Sequence, residues 1–241
     1  METLCRNCKS VTQIWLLHGI PVVKIASWNC QGGLAKKVDR IFWGHPNVAI
    51  IQECSELAAR QGVYEGYESL WFGDGAKGLA FFLRRDWKLK LIEKPDQNLI
   101  VPLEVRAPEN FTLVTVGACA VGSKRRSYVS QIHESLEQHF PWFASGPTVV
   151  ASDFNSNAIW DRERALANHS TMVSALAGYG LICAYHASTE QKHGKETTAT
   201  FHISRNCEKG YHMDYMFIPV DWMSRLTPHV GTHAEWSGVS D

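Results

Sequence analysis

The sequence carries no excess charge: 24 Lys plus Arg balance 24 Asp plus Glu over 241 residues, and the pI is about 7.2. Such a chain has no overall field to attract a polyanion, so a nucleic-acid substrate would have to be held by a local patch. Long apolar runs are also missing. Segment 11–23 is apolar but short and broken by Gln13, His18 and Pro21, and no small-residue cleavage site follows it, so neither a membrane helix nor a signal peptide is expected. Repeats and low-complexity tracts are absent. The seven cysteines are odd in number and scattered, a pattern of reduced, cytoplasmic proteins and not of a disulfide framework. Cys5 and Cys8 form a lone C-x-x-C with no second ligand pair nearby, so no zinc site is expected there.

What is present is a large apolar share, 45% of residues, enough for one full core. Residues 1–20 fit no periodic pattern and are expected to be an N-terminal extension, with a single domain over 21–241. The first strand is VVKIASW from Val22, followed by a polar and glycine-rich turn from Asn29 to Gly33 and a helix marked by Leu34, Val38, Ile41 and Phe42. NVAIIQ is a second buried strand. From Tyr67 to Val121 short β-rich runs follow one another as an antiparallel set. Tyr128, Ile132, Leu136 and Phe140 mark a helix closed by Pro141, and Met172, Ala175, Leu176 and Tyr179 mark another ending at Gly180. Strands are also expected over 181–185, 199–203 and 211–219.

The run VVASDFNSN at 149–157 organises the rest. Its apolar half reads as a strand buried on both faces, and Asp153 and Asn155 fall at its exit. If the extended conformation persisted, alternation would aim both at one site. An acid that positions or deprotonates water, beside an amide that contacts a phosphoryl oxygen, suits phosphate chemistry. An Asx-rich turn with a purely local role is the competing account. Glu53 ends the NVAIIQ strand in the same manner, and Asp214 sits in the apolar YHMDYMFIP strand, where an acid is costly unless paired or facing a polar site.

These strand ends, in order, resemble the motifs of the endonuclease/exonuclease/phosphatase (DNase I-like) superfamily. SWNCQGG is similar to its first motif, Ile51-Gln52-Glu53 to its metal-binding motif, Ser152-Asp153-Phe154-Asn155 to its G-D-F-N motif, and Met213-Asp214-Tyr215-Met216-Phe217 to its I-D-Y-I-F strand. The resemblance runs from about Val22 to Asp241. It implies an α/β fold, a four-layer α/β/β/α sandwich of two mixed sheets, and a phosphoester hydrolase dependent on Mg²⁺ or Mn²⁺. It further implies that Glu53, Asn29 and Asp241 hold or support the metal, that Asp153 activates water, that Asn155 binds phosphate, and that Asp214 orients a histidine.

Three departures accompany the resemblance. The family's Ser-Asp-His motif stops here at Ser240-Asp241, so this chain is expected to be a poor catalyst. Ala118-Cys119-Ala120 stands where many members carry a histidine, and Gln31 where repair nucleases often place Asp. Substrate contacts are expected from Arg125, Arg126, Tyr128 and Asn157, and from Trp160 if it stacks on a base, although a core-covering role suits that tryptophan better. His212, two before Asp214, is expected to share its face, while His169 and His186 read as structural or exposed. The expected function is a monomeric phosphodiesterase, an endonuclease or exonuclease on DNA or other nucleic acid. A phosphatase or diesterase on small phosphorylated metabolites or phospholipid headgroups, and a catalytically dead scaffold, are the alternatives.

Overall fold

The computed structural model describes residues 8–9, 12–18, 20–61, 64–74, 77–95, 100–116, 128–138, 142–143, 145–163, 165 and 167–236. Two six-stranded sheets carry the fold. In the first, the order is Leu226–Val230, Thr12–His18, Ile20–Asn29, Val48–Cys54, Lys77–Arg84, Tyr67–Asp74, and the Ile20–Asn29/Val48–Cys54 pair is parallel among antiparallel neighbours. The second runs Leu181–Cys183, Asp214–Pro219, Thr148–Asp153, Phe111–Val116, Ile100–Arg106, Lys88–Leu91, with Thr148–Asp153 parallel to Phe111–Val116. Both sheets are therefore mixed.

Burial on both faces explains the continuous apolar runs. Ile25, Ile50 and Phe81 of the first sheet share one core with Leu103, Leu113, Val149, Ala151 and Met216 of the second. Alternate residues of the same strands point outward. Ala26, Trp28, Ala49 and Ile51 pack with Leu34 and Ile41 of the helix Leu34–Trp43, and Val114, Val150 and Phe217 pack with Ile132 and Leu136 of Tyr128–Gln138 and with Met172 and Leu176 of His169–Gly178. The result is the four-layer sandwich of two mixed sheets with flanking helices. Among the described residues no helix is long and apolar enough to cross a membrane.

The helix His169–Gly178 shows how local chemistry sets an element. Asn168 and Thr171 exchange a reciprocal capping box, the Asp161 carboxylate accepts from the His169 and Ser170 N–H groups at 2.8 and 2.9 Å, and Gly180 turns the chain at φ +76°.

Two expectations need correction. Segment 1–20 is not wholly an extension: Thr12–His18 is an interior strand, pairing with Ile20–Asn29 on one side and Leu226–Val230 on the other. One of its partners lies more than two hundred residues away, so no local window shows the pairing. The expected strand over 181–185 stops at Cys183, and the chain passes directly into the short helix Ala184–Thr189.

Candidate active site

The ends of four strands, two from each sheet, carry the polar groups. Asn29 ends one strand of the first sheet, and Glu53 lies near the end of its parallel neighbour, where Asn29 stands opposite Gln52. Asp153 ends a strand of the second sheet, and its antiparallel partner is Asp214. Directly opposed residues present their side chains on the same face of a sheet, so the two acids face the same way.

The Asn29 amide ties the sheets at this point. Its Nδ2 donates to Glu53 Oε1 at 3.1 Å and to Asp153 Oδ2 at 2.9 Å, while its Oδ1 accepts from the Gln31 N–H at 3.0 Å. Asn29 therefore directs its N–H groups at the acids and its oxygen at the backbone. In this arrangement the amide orients two carboxylates. The backbone is bent to the same end, because Gln31, Glu53 and Asn155 all have positive φ, at 47°, 53° and 47°. Each such residue costs of order 1–3 kcal/mol, and such strain clusters at functional sites. Gly32 N–H donates to the Glu53 carbonyl at 2.9 Å and Cys30 N–H to that of Gln52 at 3.0 Å, which fixes the Asn29 turn against the Glu53 strand. Gln52 itself donates to Ser27 Oγ inside the sheet.

Asp153 and Asn155 do not converge by strand alternation. The strand stops at Asp153, Asn155 turns left-handed, and its N–H donates to Asp153 Oδ1 at 3.0 Å. This is the local Asx geometry that the sequence offered as the competing account. Together with Asn29 it holds Asp153 from both oxygens. Asp214 is fully buried, and its N–H donates to Thr200 Oγ1 at 3.1 Å. Lys77, which the sequence did not single out, reaches Glu53 Oε2 at 2.6 Å.

Three substrate expectations change. Asn157 is buried with its amide committed internally: Nδ2 donates to the His212 carbonyl, Tyr215 OH and Glu196 Oε2, and Oδ1 caps the turn Ala158–Trp160 by accepting from Ile159 N–H. It shapes the loop from inside. His212 is buried too. Its Nδ1 bonds the Thr198 carbonyl at 2.8 Å and its ring lies 4.5 Å from that of Tyr185, so it belongs to an aromatic cluster and not to the open edge. Trp160, expected to cover the core, is 47% exposed and tilts against Tyr211 at 5.1 Å. Tyr128 begins the helix Tyr128–Gln138. Arg125, Arg126, the segment at 118–120 and Asp241 lie outside the described residues.

Beside this site lies a cluster the sequence signalled weakly. His169 and His186, read as structural or exposed, are both buried. Burial drives His169 down to about 4 and His193 down to about 3. His186 is desolvated as well, but its bonds to Cys183 and Glu196 outweigh this and raise it to about 9. Glu196 is likewise held at about 2, because hydrogen bonds from His186, the Gly194 N–H and Asn157 overcome its desolvation.

Two mixed sheets with flanking helices make this the DNase I-like α/β fold. Among solved structures, it is similar to TDP2 from D. rerio complexed with single-strand DNA product (14% identity, TM-score 0.52, covering 82% of this chain and 83% of that one). It is similar as well to a mannosyl-6-phosphatase from Bacteroides thetaiotaomicron (14%, TM-score 0.55, 82% and 85%) and to a 3'-5' exonuclease from Neisseria meningitidis (17%, TM-score 0.52, 83% and 88%). At these identities the likeness is one of fold. No family model and no curated protein matches the sequence.

Proposed function

We propose that this protein is a divalent-metal-dependent phosphodiesterase that hydrolyses nucleic acid. The observation that carries the reading is the Asn29 amide donating at once to Glu53 and Asp153, which brings a carboxylate from each sheet to one place. The donor set fits a hard cation: Glu53 offers a partly exposed carboxylate whose outer oxygen already attracts the Lys77 ammonium. By resemblance, Asp241 joins Glu53. Bound there, Mg²⁺ would neutralise charge on the phosphoryl group.

The chain's own groups divide the remaining work. Asp153, fixed through both oxygens, orients the attacking water and takes its proton. Asn155 donates from its carboxamide to a phosphoryl oxygen without adding negative charge to the site. Asp214, on the strand beside Asp153, orients the group that assists departure of the leaving oxygen. Trp160 offers an exposed ring for base stacking, and Arg125, Arg126 and Tyr128 supply phosphate contacts. The zero net charge favours a second reading, a phosphatase on a small sugar phosphate, an activity named for one of the proteins that share the fold.

Cleavage of a labelled single-stranded oligonucleotide with Mg²⁺ and with a chelator, beside phosphate release from mannose 6-phosphate, separates the two. We expect Mg²⁺-dependent cleavage of the oligonucleotide. Asp153→Asn should lower it by roughly 10²- to 10⁴-fold, the span of general-base contributions, with an unchanged melting temperature. Phosphate release without strand cleavage would favour the second reading, and activity on neither substrate would dismiss both.

A further inference from the structure

Cys183 closes the strand Leu181–Cys183, His186 sits on the following helix Ala184–Thr189, and His193 lies on the turn beyond it. One ligand atom from each of the three lies within 4.8 Å of the other two, and Cys183 Sγ is 3.0 Å from His186 Nδ1. Zn–S and Zn–N bonds of ~2.3 and ~2.0 Å set tetrahedral ligand atoms roughly 3.3–3.6 Å apart, so the Cys183–His186 pair opens slightly and the widest pair closes by up to about 1.5 Å.

We propose that Cys183, His186 and His193 form a zinc-binding site, separate from the carboxylate site, with water as the fourth ligand. The arrangement around the two rings supports this more than the distances do. His186 Nε2 is held by Glu196 Oε1 at 3.0 Å, which leaves Nδ1 turned to the thiol. His193 Nδ1 is held by His169 Nε2 at 2.9 Å, and His169 Nδ1 in turn by Ser156 Oγ at 2.9 Å, which leaves His193 Nε2 for the ion. Each ligating imidazole thus has one nitrogen engaged by an outer partner and the other available, the usual support of a metal-bound histidine. A thiol and two imidazoles select a borderline-soft ion over Mg²⁺. The His186 and His193 rings stack at 3.5 Å with 16° between planes, so one of them has to tilt for both lone pairs to meet a single ion. Binding releases the Cys183 thiol proton, because the thiolate is the ligand. The ion would fix the turn that carries Glu196, and Glu196 Oε2 accepts from Asn157 in the loop following Asp153.

The test strips the full chain with a chelator and then titrates it with Zn²⁺ and, separately, Co²⁺. We expect one zinc per chain, a thiolate-to-cobalt charge-transfer absorption, and a higher melting temperature on adding zinc. Cys183→Ser, which keeps the side-chain size, should lose the absorption and the zinc-induced stabilisation. His193→Gln, on a partly exposed turn, should lower zinc affinity by at least ~10-fold, and Glu196→Gln by ~10- to 100-fold through its effect on His186. Glu53→Gln should bind zinc as the parent does. If Cys183→Ser does not fold, His193→Gln decides alone. Failure of the parent chain to bind zinc, the same zinc affinity in the His193→Gln chain, or loss of zinc in Glu53→Gln would overturn the proposal. The first outcome would make the cluster a hydrogen-bonded network only, and the last would place the ion at the carboxylates.

Discussion

Lys77 and Asn29 act on Glu53 from opposite sides. Asn29 Nδ2 donates to Oε1, while the Lys77 ammonium holds Oε2 at 2.6 Å. With the lysine side chain 59% exposed, this ion pair contributes about 0–1 kcal/mol to stability, so its importance lies in what it competes with. A divalent ion approaching Glu53 must displace the ammonium and is repelled by it. Lys77→Ala should therefore tighten Mg²⁺ binding while leaving the melting temperature nearly unchanged, and weaker binding in calorimetry would show that Lys77 supports the ion instead of opposing it. Glu53→Gln should weaken Mg²⁺ binding, since it removes a charged oxygen and keeps the shape. An unchanged affinity would remove Glu53 from the metal site. Glu53, Asn29, Asp153 and Asp214 were legible in the sequence because each is a polar residue at the end of, or inside, an apolar strand. Lys77 was not, because a lysine beginning a strand looks like any solvated end, and only the pairing of Cys54 with Gly78 brings it beside Glu53. The internal role of Asn157 was hidden for a related reason: its partners Glu196, His212 and Tyr215 are 39 to 58 positions away.

Strands buried on both faces, such as Val48–Cys54 in one sheet and Thr148–Asp153 in the other, announce themselves as unbroken apolar runs and could be anticipated from sequence. Thr12–His18 could not. TQIWLLH has no clean alternation, and its pairing with Leu226–Val230 is visible only in three dimensions. The difference has a consequence for truncation. Removing the segment that precedes Ile20 would strip one of its two partners from Ile20–Asn29, the strand that ends in Asn29, and would leave Leu226–Val230 with no neighbour in its sheet among the described residues. A chain starting at Ile20 should thus show a markedly lower melting temperature and a loss of Mg²⁺-dependent activity. Parent-like melting of that truncated chain would mean that the strand adds little to the sheet, as its irregular pattern first suggested.

At the scale of the whole molecule, balanced charge leaves pH stability to a few buried groups. His212 lies where the segment before Phe201, the helix Ala184–Thr189 and the strand Asp214–Pro219 meet. Its Nδ1 bonds the Thr198 carbonyl, and among the described residues its buried Nε2 has no hydrogen-bond partner. Burial dominates its titration and lowers it to about 4; the facing His186 imidazole adds to the shift, while the Thr198 carbonyl and the Glu196 carboxylate oppose it. The folded chain therefore refuses a proton that the unfolded chain accepts near its ordinary value of about 6.5. Stability is highest where the unfolded state binds no extra proton, so the contribution of His212 is complete above about pH 6.5 and declines as pH falls toward 4. The accumulated loss is on the order of 3 kcal/mol. Urea unfolding from pH 7 to pH 4.5 should show this slope, and His212→Gln, which keeps a donor for the Thr198 carbonyl but cannot take up a proton, should flatten it relative to the parent. The other buried histidines titrate in both chains and cancel in the difference. Equal slopes in the two chains would mean that His212 is solvated enough to protonate in the folded state, and that its ring does not lie sealed between Tyr185 and His186.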